Sequence, residues 1–344
     1  MTKKLFILLD YRNTFYSSTK EVAGSMNTSE LKRLFKNRGY SVEIERFSNV
    51  DFHSDKYAGS FVLYQSAEDP DLRYKDYIED ILLGLKINKA ILIPDFYKFR
   101  AHHNKVFMEI LRDSSRFPLI QNIISEKYGT FDEFEGSFSG NRLPIVIKPG
   151  SGSKGSGVRL VRSKKEALHA SRYIARSYSF INLKRFFNGI LSGKGFKSIS
   201  NYRRKFIVQN FISDLSHDYK ILIYDNRFYV LRRGNRPGDF RASGSGILSF
   251  PEEVPDDLLN FADKVFTFFN VPFISIDVAI RDNEYFLIEF QFLSFGQYAV
   301  EHSSFFFRKG TLGWEKISEH PNPERIFVDA VDTYIKKQSQ AKGS

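Results

Sequence analysis

The chain has 344 residues, 42% of them hydrophobic, no cysteine, and a formal net charge of +11 with a pI near 9.5. That is enough apolar material for two or three packed subdomains; the lack of cysteine excludes disulfides and thiolate metal sites, and no apolar run reaches the length of a bilayer span. The positive field favours anionic partners such as nucleotides, acidic sugars, nucleic acid or anionic lipid, although a basic surface can also serve solubility alone.

The first apolar run, Leu5–Leu9, is stopped by Asp10 and Arg12 and has no small-residue cleavage site. It is too short for a signal peptide and reads as a buried first strand, so a soluble cytoplasmic protein is expected. Ser29–Asn37 follows as a helix, with Thr28 or Ser29 as N-cap. Ser41–Arg46 and Gly59–Tyr64 read as strands, and Tyr74–Leu85 as a helix with Tyr77, Ile78, Ile81, Leu82 and Leu85 on one face. Ala90–Ile93 is a short strand stopped by Pro94. Strands alternating with helices over residues 1–100 predict a small parallel α/β domain.

Asn104–Asp113 is predicted to open the next unit as a helix. From Leu143 onward the strands come in antiparallel pairs. Leu143–Lys148 and Val158–Arg162 flank a Gly/Ser loop. Phe206–Phe211 precedes a hairpin of Tyr219–Tyr224 and Phe228–Arg233 that turns at Asp225-Asn226. Asp256–Phe269 is an amphipathic helix, Phe273–Ile280 and Tyr285–Phe292 form a further hairpin, and Phe327–Lys337 is a terminal helix with a frayed tail after Gln338. Residues 176–205 mix Arg and Lys with Phe, Tyr and Gly. They read as a solvated helix and loop, with a basic–aromatic groove as the alternative. The boundaries fall at 1–100, 101–208 and 209–338. Most of the 35 Phe and 18 Tyr fill cores.

The loop Gly150-Ser-Gly-Ser-Lys-Gly-Ser-Gly157 carries the first chemical signal. Glycines admit the φ > 0 conformations in which backbone N–H groups converge on phosphate oxygens. Gly150, Gly152 and Gly155 have the spacing of a dinucleotide fingerprint, but that motif needs a following helix, and Val158-Arg-Leu-Val161 alternates like a strand. A P-loop needs a terminal Gly-Lys-Ser/Thr, which is missing. Asp239-Phe-Arg241 is not a kinase magnesium motif, and no catalytic His-Arg-Asp loop is present. A strand–glycine loop–strand hairpin remains, with a plain surface hairpin as the bland alternative.

The second signal is a pair of acids. In Phe273–Ile280, Asp277 shares a face with Ser275 and Ala279. In Tyr285–Phe292, Glu289 shares a face with Gln291. A three-residue turn at Asp282–Glu284 pairs Asp277 with Glu289; a two-residue turn would not, since one step of register reverses the faces. Opposed acids repel unless a cation lies between them, and oxygen ligands so grouped suit Mg²⁺ or Mn²⁺, with an ordinary half-exposed hairpin as the bland alternative.

In order, Lys105, Lys148, the glycine loop, Gln209-Asn-Phe-Ile212, Asp218-Tyr-Lys220, Arg241, Asp277 and Glu289-Phe-Gln291 resemble the ATP-grasp superfamily over roughly residues 100–300. The resemblance implies an α/β and α+β ATP-grasp fold with a Rossmann-like N-terminal domain, and ATP with Mg²⁺ (or Mn²⁺) as cofactors. By it, Lys105 and Lys148 are the phosphate-contacting lysines. Gly150, Ser151, Gly152, Ser153, Lys154, Gly155 and Gly157 form the flap over the triphosphate. Gln209, Asn210, Phe211 and Ile212 form the adenine-reading hinge. Asp218 is the ribose-contacting acid, and Lys220 stands where many members carry arginine. Arg241 is similar to the arginine near the γ-phosphate in ribosomal-modification-type ligases; with Lys148 it is expected to be catalytic. Asp277, Glu289 and Gln291 match the metal-ligand positions. Gln291 departs from the usual asparagine, Gln209 from a commoner glutamate, and Ser243-Gly-Ser-Gly246 from the usual glycine pair.

The activity implied is a ligase that phosphorylates a carboxylate and passes the acyl group to an amine, releasing ADP and phosphate. A hydroxyl kinase of the same fold is the first alternative. A basic nucleic-acid-binding protein with a degenerate ATP site is the second, and is disfavoured by the intact acid pair. The expected substrate is a small or sugar- or nucleotide-linked anion. A homodimer is compatible with the sequence.

Overall fold

A computed structural model describes residues 3–16, 25–152, 155–177 and 199–341. They form two compact units: residues 1–102, 216–235 and 245–344 make one, and residues 103–215 and 236–244 the other.

The first unit begins with β1 (Lys3–Leu9), α1 (Thr28–Asn37), β2 (Tyr40–Arg46), β3 (Phe61–Leu63), α2 (Arg73–Ile87), β4 (Ile91–Ile93) and α3 (Phe96–Ala101). The four strands make a wholly parallel sheet in the order β2-β1-β3-β4, as the strand–helix alternation requires. Leu5–Leu8 are essentially inaccessible, so the first apolar run is the sheet's buried centre. The cap of α1 is Asn27, one residue before the two expected, and its side chain accepts from the Glu30 N–H.

The second unit holds α4 (Lys105–Ser114), β5 (Ser125–Tyr128), α5 (Phe131–Ser137), β6 (Ile145–Pro149), β7 (Arg159–Val161), α6 (Lys164–Ile174) and β8 (Phe206–Asn210). Its antiparallel sheet runs β5-β8-β6-β7. Phe134, Ile145, Ile147, Val161, Ala167, Phe206 and Val208 form its core. Alternation along each strand therefore puts Val146, Lys148, Ile207 and Gln209 on the other face. On α4, Glu109 and Arg112 are fully buried. The Arg112 guanidinium donates to Glu109 at 2.9 Å and to the Ile120 carbonyl at 2.9 Å, and Ser125 Oγ donates to Glu109 at 2.8 Å. The basic–aromatic segment read over 176–205 lies largely outside the described residues, which omit 178–198.

The chain then completes the first unit with β9 (His217–Tyr224), β10 (Arg227–Gly234), β11 (Leu248–Ser249), α7 (Asp256–Phe269), β12 (Phe273–Arg281), β13 (Glu284–Gln291), α8 (Tyr298–His302), β14 (Phe305–Lys309), β15 (Trp314–Ser318) and α9 (Pro323–Ala341). The sheet runs β13-β12-β9-β10-β14-β15, with β11 beside β10. The terminal helix continues to Ala341 instead of fraying after Gln338: Ile326, Phe327, Val328, Val331 and Ile335 are buried along it, and beyond them Ser339 accepts from the Lys3 ammonium at 3.1 Å. It also binds the parallel domain: Asp329 pairs with Arg38, and Tyr40 donates to Asp332 at 2.9 Å. Trp314, the chain's one tryptophan, stands edge-on to Phe228 at 4.9 Å, and its indole N–H donates to Asn260 at 3.0 Å.

Candidate functional site

In the second unit the expected phosphate-binding groups gather around the glycine hairpin. α4 starts at Lys105 because the Asn104 side chain caps it, accepting from the Phe107 N–H. The Lys105 N–H donates to the Gly150 carbonyl at 2.8 Å, and its ammonium donates to the Gly152 carbonyl at 2.7 Å. Gly152, Gly155 and Gly157 have φ of +120°, +68° and +74°, values that side chains rarely adopt. A Cβ at Gly157 would lie 2.8 Å from the Pro149 ring, and one at Gly150 would lie 2.7 Å from the Lys205 carbonyl oxygen. The glycines are thus required by the shape of the turn. β7 follows, which removes the dinucleotide reading. Ser151 is exposed; Ser153 and Lys154 lie outside the described residues.

Arg241 joins this hairpin. Asp239 accepts from its backbone N–H at 3.0 Å and from its guanidinium at 2.8 to 3.2 Å, while the guanidinium also donates to the Gly155 carbonyl at 3.2 Å. Asp239 raises the arginine's pKa, chiefly through these hydrogen bonds, and its own is lowered by them. Lys148 is half-buried on β6 and shares its sheet face with Gln209. Gln209 is 3% exposed, and its amide nitrogen has no hydrogen-bond partner. A buried amide left without a partner is costly, so it suits a site where a ligand acceptor approaches. Beyond it, Asn210 exchanges backbone and side-chain hydrogen bonds with Ile124, Phe211 stands edge-on to Phe240, and Ile212 is buried.

In the first unit, Asp277 on β12 is directly opposite Glu289 on β13. The route to this register differs from the expected one. Arg281 pairs with Glu284, so the turn has two residues, Asp282 and Asn283, at φ +52° and +61°. These are the left-handed conformations of a tight hairpin turn. On its own that turn would bring Ile288 opposite Asp277. A β-bulge takes up the extra residue: Val278 pairs with Leu287, Asp277 with Glu289, and Ile288 is left over. Asp277 and Glu289 are therefore cross-strand partners, with Gln291 one alternation further, but for a different reason.

The side-chain cation beside this pair was missed. Arg233 is 7% exposed and clamps Asp218 with two bonds of 2.6 and 2.9 Å; its guanidinium also lies 2.8 Å from Asp277. Lys220, opposite Asp277 on β9, donates to Ser275 Oγ at 2.7 Å and lies 3.4 Å from the Asp277 carboxylate. Gln291 donates from its amide to Glu289 at 3.1 Å. Burial works to raise the Asp277 pKa, but Arg233 and Lys220 outweigh it and hold the group below the ordinary range. Asp218, with both oxygens taken by Arg233, is pushed up to about 6 by burial against the pull of that arginine. The sequence placed Arg233 only at the end of a strand. A signal was available: the Asp225-Asn226 turn pairs Tyr224 with Arg227, and counting outward places Arg233 opposite Asp218.

Two carboxylates and an amide oxygen on adjacent strands are the hard oxygen donors that Mg²⁺ takes, so the residues fit such an ion. The glycine turn, Lys105 and Arg241 equally fit phosphate oxygens.

No protein-family model matches the sequence, and no curated protein matches it. Solved structures do. The chain is similar to D-cycloserine synthetase DcsG, with TM-score 0.54 and 12% identity over 96% of this chain and 99% of that one. It is similar to the ATP-grasp ligase PsnB complexed with minimal precursor, with TM-score 0.51 and 11% identity over 96% and 99%. The D-alanine--D-alanine ligase of Bacillus anthracis gives TM-score 0.50 and 13% identity over 98% and 99%. The chain has the ATP-grasp fold, with a Rossmann-like parallel domain at its N-terminus.

Proposed function

We propose that this protein is an ATP- and Mg²⁺-dependent ligase that joins a carboxylate to an amine. The observation that carries the reading is the opposed pair Asp277 and Glu289, with Gln291 beside it, in a chain of ATP-grasp fold. The structural neighbours whose names state an activity are synthetases and ligases. Lys105, Lys148, Arg241 and the amides of the glycine turn would neutralise and orient the phosphates. Asp277, Glu289 and Gln291 would hold Mg²⁺, which supplies charge neutralisation on phosphate oxygens. Gln209 would present its amide to the adenine edge. The substrate carboxylate oxygen attacks the γ-phosphorus and ADP leaves. The amine then attacks the acyl carbon, phosphate leaves, and the amine's proton passes to solvent. The positive charge of the chain, +11, favours an anionic acid as substrate.

The test is release of ADP and of phosphate, measured in parallel against a panel of carboxylic acids with and without amines. ADP and phosphate in equal amounts, dependent on both an acid and an amine, are expected. Asp277→Asn and Glu289→Gln should each lower the rate by at least about a hundredfold. ADP without free phosphate would instead mark a hydroxyl kinase. Turnover that is indifferent to both substitutions would remove the proposed site.

A further inference from the structure

Of the carboxylates proposed to hold the metal, Asp277 is already engaged by side-chain cations. One Asp277 oxygen lies 2.8 Å from Arg233 and the other 3.4 Å from Lys220. The cluster has three acids, Asp218, Asp277 and Glu289, and two bases, Lys220 and Arg233, so its formal charge is −3 + 2 = −1. A free divalent ion entering here would have to displace a buried guanidinium from Asp277 and then remain beside it. A buried charge that loses its partner carries a heavy desolvation cost, and two cations at contact distance repel strongly at low effective dielectric. Arg233, however, has a second anchor. Its two bonds of 2.6 and 2.9 Å to Asp218 do not involve Asp277, so it can release one acid and keep the other. A metal bound to a triphosphate reverses the balance, because the complex is net negative and the two bases then attract it.

We propose that Arg233 is a placeholder cation for the metal: it occupies Asp277 in the nucleotide-free protein and yields it only to a metal carried on a polyphosphate. Asp218 keeps Arg233 in position while this happens. The protein therefore takes up the metal–nucleotide complex and discriminates against the free ion. This rests on the reading of Asp277, Glu289 and Gln291 as metal ligands.

The experiment counts bound Mn²⁺ by electron paramagnetic resonance, with Mn²⁺ alone and with Mn²⁺ plus ADP. The wild type should bind Mn²⁺ at least about tenfold more weakly alone than with ADP. Arg233→Met should tighten binding of Mn²⁺ alone by about tenfold or more and so shrink the dependence on ADP. Asp218→Asn should do the opposite, since an arginine relieved of Asp218 closes on Asp277. A purely structural role for the pair would move both variants in the same direction. If Arg233→Met does not fold, the double variant Asp218→Asn/Arg233→Met removes equal and opposite charges, and Lys220→Met frees the other Asp277 oxygen. Each should tighten Mn²⁺ alone. Unchanged or weaker binding of Mn²⁺ alone in the variants that lack Arg233, beside normal binding with ADP in the wild type, overturns the placeholder role. Absence of Mn²⁺ binding in the wild type even with ADP, together with no effect of Glu289→Gln, overturns the metal-site reading on which it rests.

Discussion

Asp218 sits where two forces compete. Burial favours its neutral form, and the two-bond grip of Arg233 favours its charged form; burial prevails and the group titrates at about 6. An ordinary aspartate titrates near 3.9. A carboxyl whose pKa is raised on folding contributes stability that is complete below the ordinary range and is lost as pH rises through about 6. The difference in unfolding free energy between wild type and Asp218→Asn should therefore fall from about pH 4 to about pH 6 and be flat above it. A difference that grows with pH would show that Arg233 dominates. In the pair Glu109–Arg112 neither side chain reaches solvent. Arg112→Met should cost about 3–5 kcal/mol in urea unfolding by removing the cation paired with the buried Glu109, and adding Glu109→Gln should restore part of it. A cost below about 1 kcal/mol would show that the pair contributes little to stability. Neither pair could be found from composition. Arg112 follows Glu109 by three residues on a helix, a spacing that usually marks a solvated surface pair.

At the scale of elements, the glycine hairpin and the β12–β13 hairpin were both legible in outline, and they differ in what stayed hidden. For the glycine hairpin, an apolar strand, a run of Gly and Ser, and an alternating strand were enough to place β6 and β7. Which glycines are indispensable was not visible. Gly157 meets both criteria, a φ of +74° and a proline ring 2.8 Å from its missing Cβ. Gly157→Ala should raise the KM for ATP severalfold and lower stability by about 1 kcal/mol or more, while Gly136→Ala, inside helix α5 with open space around its Cβ position, should leave the KM unchanged and raise stability by about 0.5–1 kcal/mol. Equal effects of the two substitutions would show that the turn does not depend on Gly157. For β12–β13, the sequence allowed Asp277 and Glu289 to be paired only by assuming a three-residue turn. Asp282 and Asn283 make the tighter turn, and the bulge at Ile288 corrects the register. Nothing about an isoleucine signals a bulge, so the correct pairing came from an incorrect turn.

For the whole molecule, the N-terminal parallel sheet was the most legible part, because buried strands such as Leu5–Leu8 read as continuous apolar runs. The later elements were less so. β5, α5 and α6 were not anticipated; β5 begins Ser125-Glu-Lys-Tyr128, with one apolar side chain in four. β14, three phenylalanines followed by Arg308 and Lys309, and β15, Trp314-Glu-Lys-Ile-Ser318, gave no alternation to read. The return of residues 236–244 to the second unit, which brings Arg241 to the glycine turn, depends on the tertiary path and leaves no local trace. The position of Trp314 has a practical consequence. As the sole indole, packed on Phe228 within the large antiparallel sheet, it makes selectively excited tryptophan emission a reporter for the first unit alone. A melt followed by that fluorescence would miss any loosening around the glycine turn, so variants there call for circular dichroism or a label placed beside them.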